Sequence, residues 1–250
     1  MTRKPFVLIP PSEAKAEGGS RGARVGVFDD DLGSARRHVI GALAALRAAE
    51  SAAGLEKVLK VRGPLLERAV SAIEHLADGD ALLMPAWRRY IGVVWLHVDP
   101  ATMSPTHRRR LLIPSGLYGV TTGGDYIADY RLKMDTVLPP LGGVAHYWRP
   151  YVTSALAAHV KGSVVVNLLP KEHQSSIDWS ELGHDCQIVN VSFVQADGRG
   201  AAGHAAKAVK GIVARVVVDE GLAAVDGFRW EGWRARRSKE GLLIVAPTAA

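Results

Sequence analysis

The chain of 250 residues suits one large domain or two interlocked small ones, and its 48% hydrophobic and 22% charged residues are those of a folded protein with a substantial core. A formal net charge of +6 and an isoelectric point near 9.5 favour anionic partners: nucleic acid, phosphorylated metabolites or an acidic surface. The single cysteine, Cys186, excludes an intramolecular disulfide and a multi-cysteine zinc site; no uncharged stretch approaches the roughly 20 residues of a membrane span, and the apolar run Phe6 to Ile9 is too short for a signal peptide, so a cytoplasmic setting is expected.

Phe6 to Ile9, closed by Pro10-Pro11, predicts a buried strand that enters a loop. The polar cluster that follows, SEAKAEGG from Ser12 to Gly19, therefore stands just past a strand end, where α/β sheets commonly place ligands. Glycines and basic residues from Gly18 to Val25 predict a mobile loop. Asp29 to Ser51 reads as an amphipathic helix with Val39, Ile40, Leu43 and Leu46 inward and Ser34 as its cap. Leu55 to Leu76 continues as helix, glycine, helix, broken at Gly63-Pro64. Pro85 to Trp95 mixes aromatic and β-branched residues and fits strand or helix equally well. Ser104 to Gly119 predicts a capped basic helix that runs into a strand and a glycine turn.

Further along, Pro150 to His159 reads as helix, and Ser163 to Leu169 and Gln187 to Val194 as strands. Ala201 to Val218 is a helix rich in small residues, and Leu242 to Val245 is a closing strand. This alternation predicts an α/β fold with an α+β tendency: a mixed sheet flanked by helices in a single domain, 1–250, with a helical hairpin inserted at about 34–76.

Familiar cofactor signatures are missing. There is no GxGxxG opening a helix, no GxxxxGK[ST] and no GxSxG. Glu172-His173 and His184-Asp185-Cys186 are metal-ligand types without metal-ligand spacing, so neither a cofactor nor a metal is expected, and Cys186 reads as a buried inert thiol.

Four segments carry candidate chemistry. Ser115 to Met134 (SGLYGVTTGGDYIADYRLKM) combines glycine turns with Tyr118, Tyr126, Tyr130 and Arg131. That composition fits an anion-binding wall or a turn-rich segment with core tyrosines. Lys207 to Arg215 (KAVKGIVAR) sets Lys207, Lys210 and Arg215 among valines and isoleucine, either as a solvated basic stripe or as partly buried cations in need of partners. Phe228 to Lys239 (FRWEGWRARRSK) interleaves aromatics with arginines, as a base-stacking surface or a surface hairpin. Leu59 to Ala69 (LKVRGPLLERA) resembles a helix-hairpin-helix element in which Lys60, Arg62 and Gly63 fit and Val61 and Pro64 do not, since Pro64 removes an N–H donor.

Taken in order, PPSEAKAEGG, DLGSARRHVIGALAAL, PAWRRYIGVVW, SGLYG, YRLKM, YWRP, VVNLLPKEH, GHAAKAVKGIVAR and GFRWEGW resemble the YaaA family of peroxide-stress proteins. The resemblance spans about Leu8 to Trp233. It implies one compact α/β fold with a positively charged cleft and a helix-hairpin-helix element associated with double-stranded and branched DNA. It also implies a cytoplasmic role in limiting oxidative damage to DNA, including lower free intracellular iron. Carried onto this chain, the shared segments bring in Ser12, Lys15, Ser115, Tyr118, Tyr130, Arg131, Asn167, Lys207 and Arg215. Three departures stand out: Thr122-Gly123 where the family has an arginine-proline pair, Asp129 where it has proline, and Asp135 where it has glycine.

Two functions follow as expectations. In the first, Lys60, Arg62, Arg131, Lys207, Lys210 and Arg215 neutralise DNA phosphates. In the second, a divergent member acts as an enzyme on an anionic small molecule. Lys15 or Lys207 would then be base or nucleophile, Tyr118 or Tyr130 a proton carrier and Arg131 the anchor.

Overall fold

A computed structural model describes residues 5–22, 24–239 and 241–247. Basic Arg3 and Lys4, and Ala23 of the Gly18–Val25 loop, lie outside the described residues. The first half runs β1 (Phe6–Leu8), α1 (Asp29–Ala49), α2 (Ala52–Leu59), α3 (Pro64–Asp78), β2 (Met84–Pro85), α4 (Ala86–Arg89), α5 (Val93–Val98), α6 (Pro105–Arg108), β3 (Leu111–Ser115) and β4 (Gly119–Thr122). The second runs β5 (Tyr126–Ile127), β6 (Val137–Leu138), β7 (Gly142–Gly143), α7 (Val144–Val160), β8 (Val164–Asn167), α8 (Lys171–Gln174), α9 (Trp179–Asp185), β9 (Gln187–Val194), α10 (Gly203–Glu220), β10 (Arg229–Trp230), β11 (Trp233–Ser238) and β12 (Gly241–Val245).

The expected α/β class with a mixed sheet is what forms. Eight strands order as β10-β11-β12-β9-β8-β1-β3-β4. β12, β9, β8, β1 and β3 are parallel neighbours; β4 at one end and β11 and β10 at the other are antiparallel. Val7 and Leu8 are fully buried, as a central parallel strand covered on both faces requires. From β1 the chain first builds β3 and β4 on one side, then returns to place β8 on the other. The strand order thus reverses beside β1, which leaves a crevice at the carboxyl ends of β1, β3 and β8.

Helices cover this sheet by burying one face each. α1 presents Leu32, Val39, Leu43 and Leu46 to the core, and Ile40 is only half-buried. Its start differs from expectation. Ser34 lies inside the first turns, and the entry is instead organised by Asp29, whose carboxylate accepts the Gly26 N–H at 2.6 Å and pairs with Arg36. Three aspartates, Asp29 to Asp31, oppose the positive end of the helix dipole, so a side-chain cap is not required there. α7 also begins earlier than expected, at Val144. Pro150 is accommodated within it, where proline was expected to open the helix.

The break at Gly63-Pro64 is as expected. α2 ends at Lys60 with φ +57°, Gly63 takes φ +54°, and Pro64 opens α3. Pro85 to Trp95 resolves into β2 and the two short helices α4 and α5. Phe228 to Lys239 forms the hairpin of the two expected alternatives. Trp230 pairs with Trp233 across Glu231 (φ +44°) and Gly232 (φ +82°), and Arg234, Arg236 and Arg237 point to solvent while Trp233 is buried.

Candidate functional site

A cleft of about 1260 Å³ opens at the crevice beside β1. One wall is the Pro11–Lys15 segment that leaves β1, joined by Gly116 after β3 and Glu172-His173 beyond β8. The facing wall comes from the α2–α3 connection, with Lys57, Lys60, Val61, Arg62, Leu65 and Arg68. Tyr130 to Asp135 closes the floor. A second recess of about 410 Å³, around Arg149, Lys171 and Trp179, is a shallow surface where Arg149 and Gln174 are already engaged. Arg149 Nε donates to Ser175 O and Gln174 Nε2 to Leu169 O.

Lys15 is the central group. Its side chain is buried, 7% exposed, yet it lines the cleft. Nζ donates to Ser12 O at 2.8 Å and lies 4.3 Å from the centroid of the Tyr130 ring and 5.7 Å from that of Tyr90. The nearby carboxylates are engaged elsewhere: Glu13 with Lys133 at 2.7 Å, and Asp129 with Arg131 and Arg68. Burial lowers the Lys15 pKa to about 7, helped by the charges of Arg131 and Arg68, with Asp129 and Glu13 opposing. Near neutrality a large share of this amine therefore carries a free lone pair.

Two phenols flank it. Tyr90 and Tyr130 share a hydrogen bond, oxygen to oxygen, at 2.8 Å, and both rings are buried. Burial pushes Tyr130 up to about 12 and Tyr90 well above its ordinary value, so both stay protonated. The pair can donate a hydrogen bond, or pass one proton on while taking up another, without becoming anionic.

Rigid supports hold the Lys15 loop. Its backbone bridges to Tyr90, with Ala16 N–H donating to Arg89 O at 2.8 Å and Ile91 N–H to Ala14 O at 3.2 Å. Arg89, 1% exposed, sends its guanidinium to the carbonyls of Ala16, Gly18 and Leu82. Arg68 reaches Lys15 O at 2.8 Å, and Trp95 Nε1 donates to Pro10 O at 3.1 Å. At Gly92 a Cβ would stand 2.3 Å from Ser12 Oγ, which explains why glycine lies under the loop. Carbonyls that would otherwise be buried without donors are thereby satisfied, and the loop keeps one shape.

The expected site residues divide into two groups. Lys15, Lys60, Arg62, Tyr130 and Arg131 line the cleft together. Arg131 donates to Asp129 at 2.8 Å and to Tyr130 O at 2.8 Å, and Lys60 pairs with Asp135 at 2.8 Å. Arg62 is 89% exposed and only 3.9 Å from Glu56, a loose contact of small energetic value.

The other expected residues stand outside. Tyr118 lies behind Tyr130, ring to ring at 5.9 Å, with its hydroxyl accepting the Ala128 N–H at 2.8 Å. On α10, Lys207 is exposed, and its charge is felt by Glu13 and Lys210. Lys210 lies over the Phe193 ring at 5.4 Å, and burial lowers it to about 8. Arg215, one helix end away, is a structural tie. It pairs with Asp219 and donates to Val98 O, Asp99 O and Thr102 Oγ1. Asn167, at the end of β8, joins Asn190 at 2.9 Å.

The departures from the family pattern also separate. Asp129 and Asp135 serve as partners for the cations of the cleft, whereas Thr122 and Gly123 are buried at the end of β4 and do not line it. A Cβ at Gly123 would meet Arg108 O at 2.6 Å. Cys186 is buried, as expected, and donates to Leu182 O. Among the described residues no group of three His, Cys, Asp or Glu could hold a metal ion.

Sequence reasoning missed Arg68, Arg89, Tyr90 and His173. Arg68 and Arg89 look like solvated helix charges until the loop folds against them. His173 lines the cleft with Nδ1 buried and unpaired, since Glu172 at 3.8 Å is too far for a hydrogen bond, and burial lowers it to about 4. The motif VVNLLPKEH held it in view, but only the turn after β8 directs it into the cleft.

Relatives are similar to this chain over 73% to 87% of its length. A "UPF0246 protein" of Streptomyces coelicolor is 31% identical over 226 residues, 87% of this chain and 84% of that one. Another from Corynebacterium glutamicum is 32% identical over 222 residues, 85% of this chain and 84% of its own. A third, from Phocaeicola vulgatus, is 26% identical over 197 residues, covering 73% and 77%. The model of the family described as peroxide stress protein YaaA matches residues 6–239, so the cleft and all of its walls fall inside the match, and the chain belongs to that family.

Proposed function

We propose that this protein binds DNA in the cleft beside β1 and shields it under peroxide stress, in the cytoplasm. The observation that carries the reading is the set of cations around one opening. Lys57, Lys60, Arg62, Arg68, Arg131 and Lys133 stand against four lining carboxylates, Glu13, Glu56, Asp135 and Glu172. The α2–α3 connection would act as the helix-hairpin-helix-like contact, offering the Gly63 backbone with Lys60 and Arg62 to a phosphate. Exposed pairs such as Arg62–Glu56 exchange readily for phosphate, because water already screens them.

Titrating a labelled duplex across a salt series tests this. Binding that weakens by about 0.9 log units per decade of salt for each phosphate contacted is expected. An absence of retention at low salt, or affinity flat with salt, overturns it.

A second reading is supported by Lys15. A buried amine with a pKa near 7, between two protonated phenols, suits an enzyme acting on an anionic small molecule, with Lys15 and Tyr130 in the chemistry and Arg131 as anchor.

A further inference from the structure

We propose that Lys15 captures the carbonyl carbon of a phosphate- or carboxylate-bearing aldehyde or ketone as a Schiff base within the cleft. The inference rests on the second reading and names its substrate class.

The geometry separates Lys15 from an ordinary ion-pairing lysine. Its neighbours are a carbonyl, two aromatic faces and an open cavity, while Glu13 and Asp129 are held by other cations. A general base would need an acidic C–H or O–H placed against it. A nucleophilic amine needs a lone pair, an open approach and a hydroxyl near the carbonyl oxygen, and the cleft offers Lys15, its cavity and Tyr130. Cations that line the cleft, Arg131, Lys133 and Lys60, would anchor the anionic end and present the carbonyl to the amine.

The step balances without a co-reactant. The Nζ lone pair forms a C–N bond to the carbonyl carbon as the C=O π pair moves to oxygen, and one proton passes from the now cationic nitrogen to that oxygen by way of Tyr130, which lines the cleft with Tyr90 hydrogen-bonded behind it. In the neutral carbinolamine the nitrogen lone pair then forms C=N as the C–O bond breaks, and the departing hydroxide takes the remaining N–H proton and leaves as water. The titratable and charged groups that bear on Nζ are Tyr90 and Tyr130 from its flanks, Glu13 on its own loop, Arg68 from α3, and Asp129 and Arg131 beside Tyr130. Two carboxylates and two guanidiniums oppose each other, so burial dominates and the capture rate should rise between pH 6 and pH 8.

The test uses the full-length chain with glyceraldehyde 3-phosphate and cyanoborohydride, which delivers hydride to the imine carbon and fixes it as a secondary amine. Intact mass and peptide mapping read the product. A single adduct at Lys15 is expected, formed about tenfold faster than with propionaldehyde, the uncharged control, and absent in Lys15→Met. Adducts spread over Lys57, Lys60 and Lys133, or confined to Lys210, overturn the proposal, and that mapping decides in the wild-type chain even if Lys15→Met does not fold.

A duplex with one abasic aldehyde is the parallel probe. Trapping it at Lys15 would assign the carbonyl to nucleic acid; trapping only the small phosphate would assign it to a metabolite. Duplex retention with no trapping of either carbonyl overturns the Schiff base and leaves DNA binding standing. An adduct at Lys15 with no duplex retention does the reverse.

Discussion

At the residue scale, Lys15 sits where a lysine costs stability. Its ordinary pKa of 10.5 falls to about 7 on folding. Between those values the unfolded chain binds more protons than the folded one, so the contribution of this group to stability rises with pH across that window and is least at and below pH 7. Lys15→Met, which keeps the length of the side chain and removes the charge, should therefore stabilise the protein. The gain is expected to be about 2–4 kcal/mol near pH 7 and to shrink as pH approaches 10. Urea denaturation at pH 6, 7, 8 and 9 measures it, and a gain that grows with pH contradicts the argument. Arg89 is the counterpart: equally buried, it satisfies carbonyls of the loop that carries Lys15.

At the element scale, α10 and α5 cross closely because Gly211 has no side chain. A Cβ there would stand 2.3 Å from Val94 O and 2.8 Å from His97 Cβ, both too close for any real contact. Gly211→Ala should force the helices apart and cost about 2–4 kcal/mol, since a backbone carbonyl cannot swing aside as a flexible side chain can. Gly41, exposed within α1 with nothing near its Cβ position, predicts the opposite sign. Gly41→Ala should gain about 0.5–1 kcal/mol from helix propensity alone. Thermal melts of the two variants check both, and destabilisation by Gly41→Ala or tolerance of Gly211→Ala would refute the packing account. The small residues of α10 were visible in the sequence, and for Gly211 the reason is this crossing.

At the scale of the whole molecule, the net charge of +6 is divided between the cleft and the distant β10–β11 hairpin, where Arg234, Arg236 and Arg237 face solvent. Two double variants separate them at equal net charge. Lys57→Glu with Arg62→Glu alters the cleft; Arg234→Glu with Arg236→Glu alters the hairpin. If DNA binds in the cleft, the first pair should weaken duplex retention by about tenfold or more and the second by much less. Equal losses would mean that charge alone, rather than the cleft, governs binding.

Much of the architecture was legible from local signals. Apolar runs marked β1, β8 and β9, and Gly63-Pro64 marked the α2–α3 break, because strand burial and helix termination are decided by near neighbours. Ser34 failed as a cap because the aspartate run before it already met the needs of the helix start, a competition that single-position reasoning does not weigh. The site was half legible. Ser12 and Lys15 could be placed past a strand end, and Tyr130 and Arg131 in a tyrosine-rich turn.

By itself the sequence determined the main strands and long helices, the mixed α/β class, the family and the polar cluster after β1. Only the tertiary structure decided that Lys15 is buried, that Tyr90 joins Tyr130 beside it, that Arg215 ties a helix to a loop and that Thr122-Gly123 lies away from the cleft. The reason is physical. Strand and helix formation depend on residues a few positions apart, whereas the charge state of an amine depends on what the whole fold brings within a few ångströms of it.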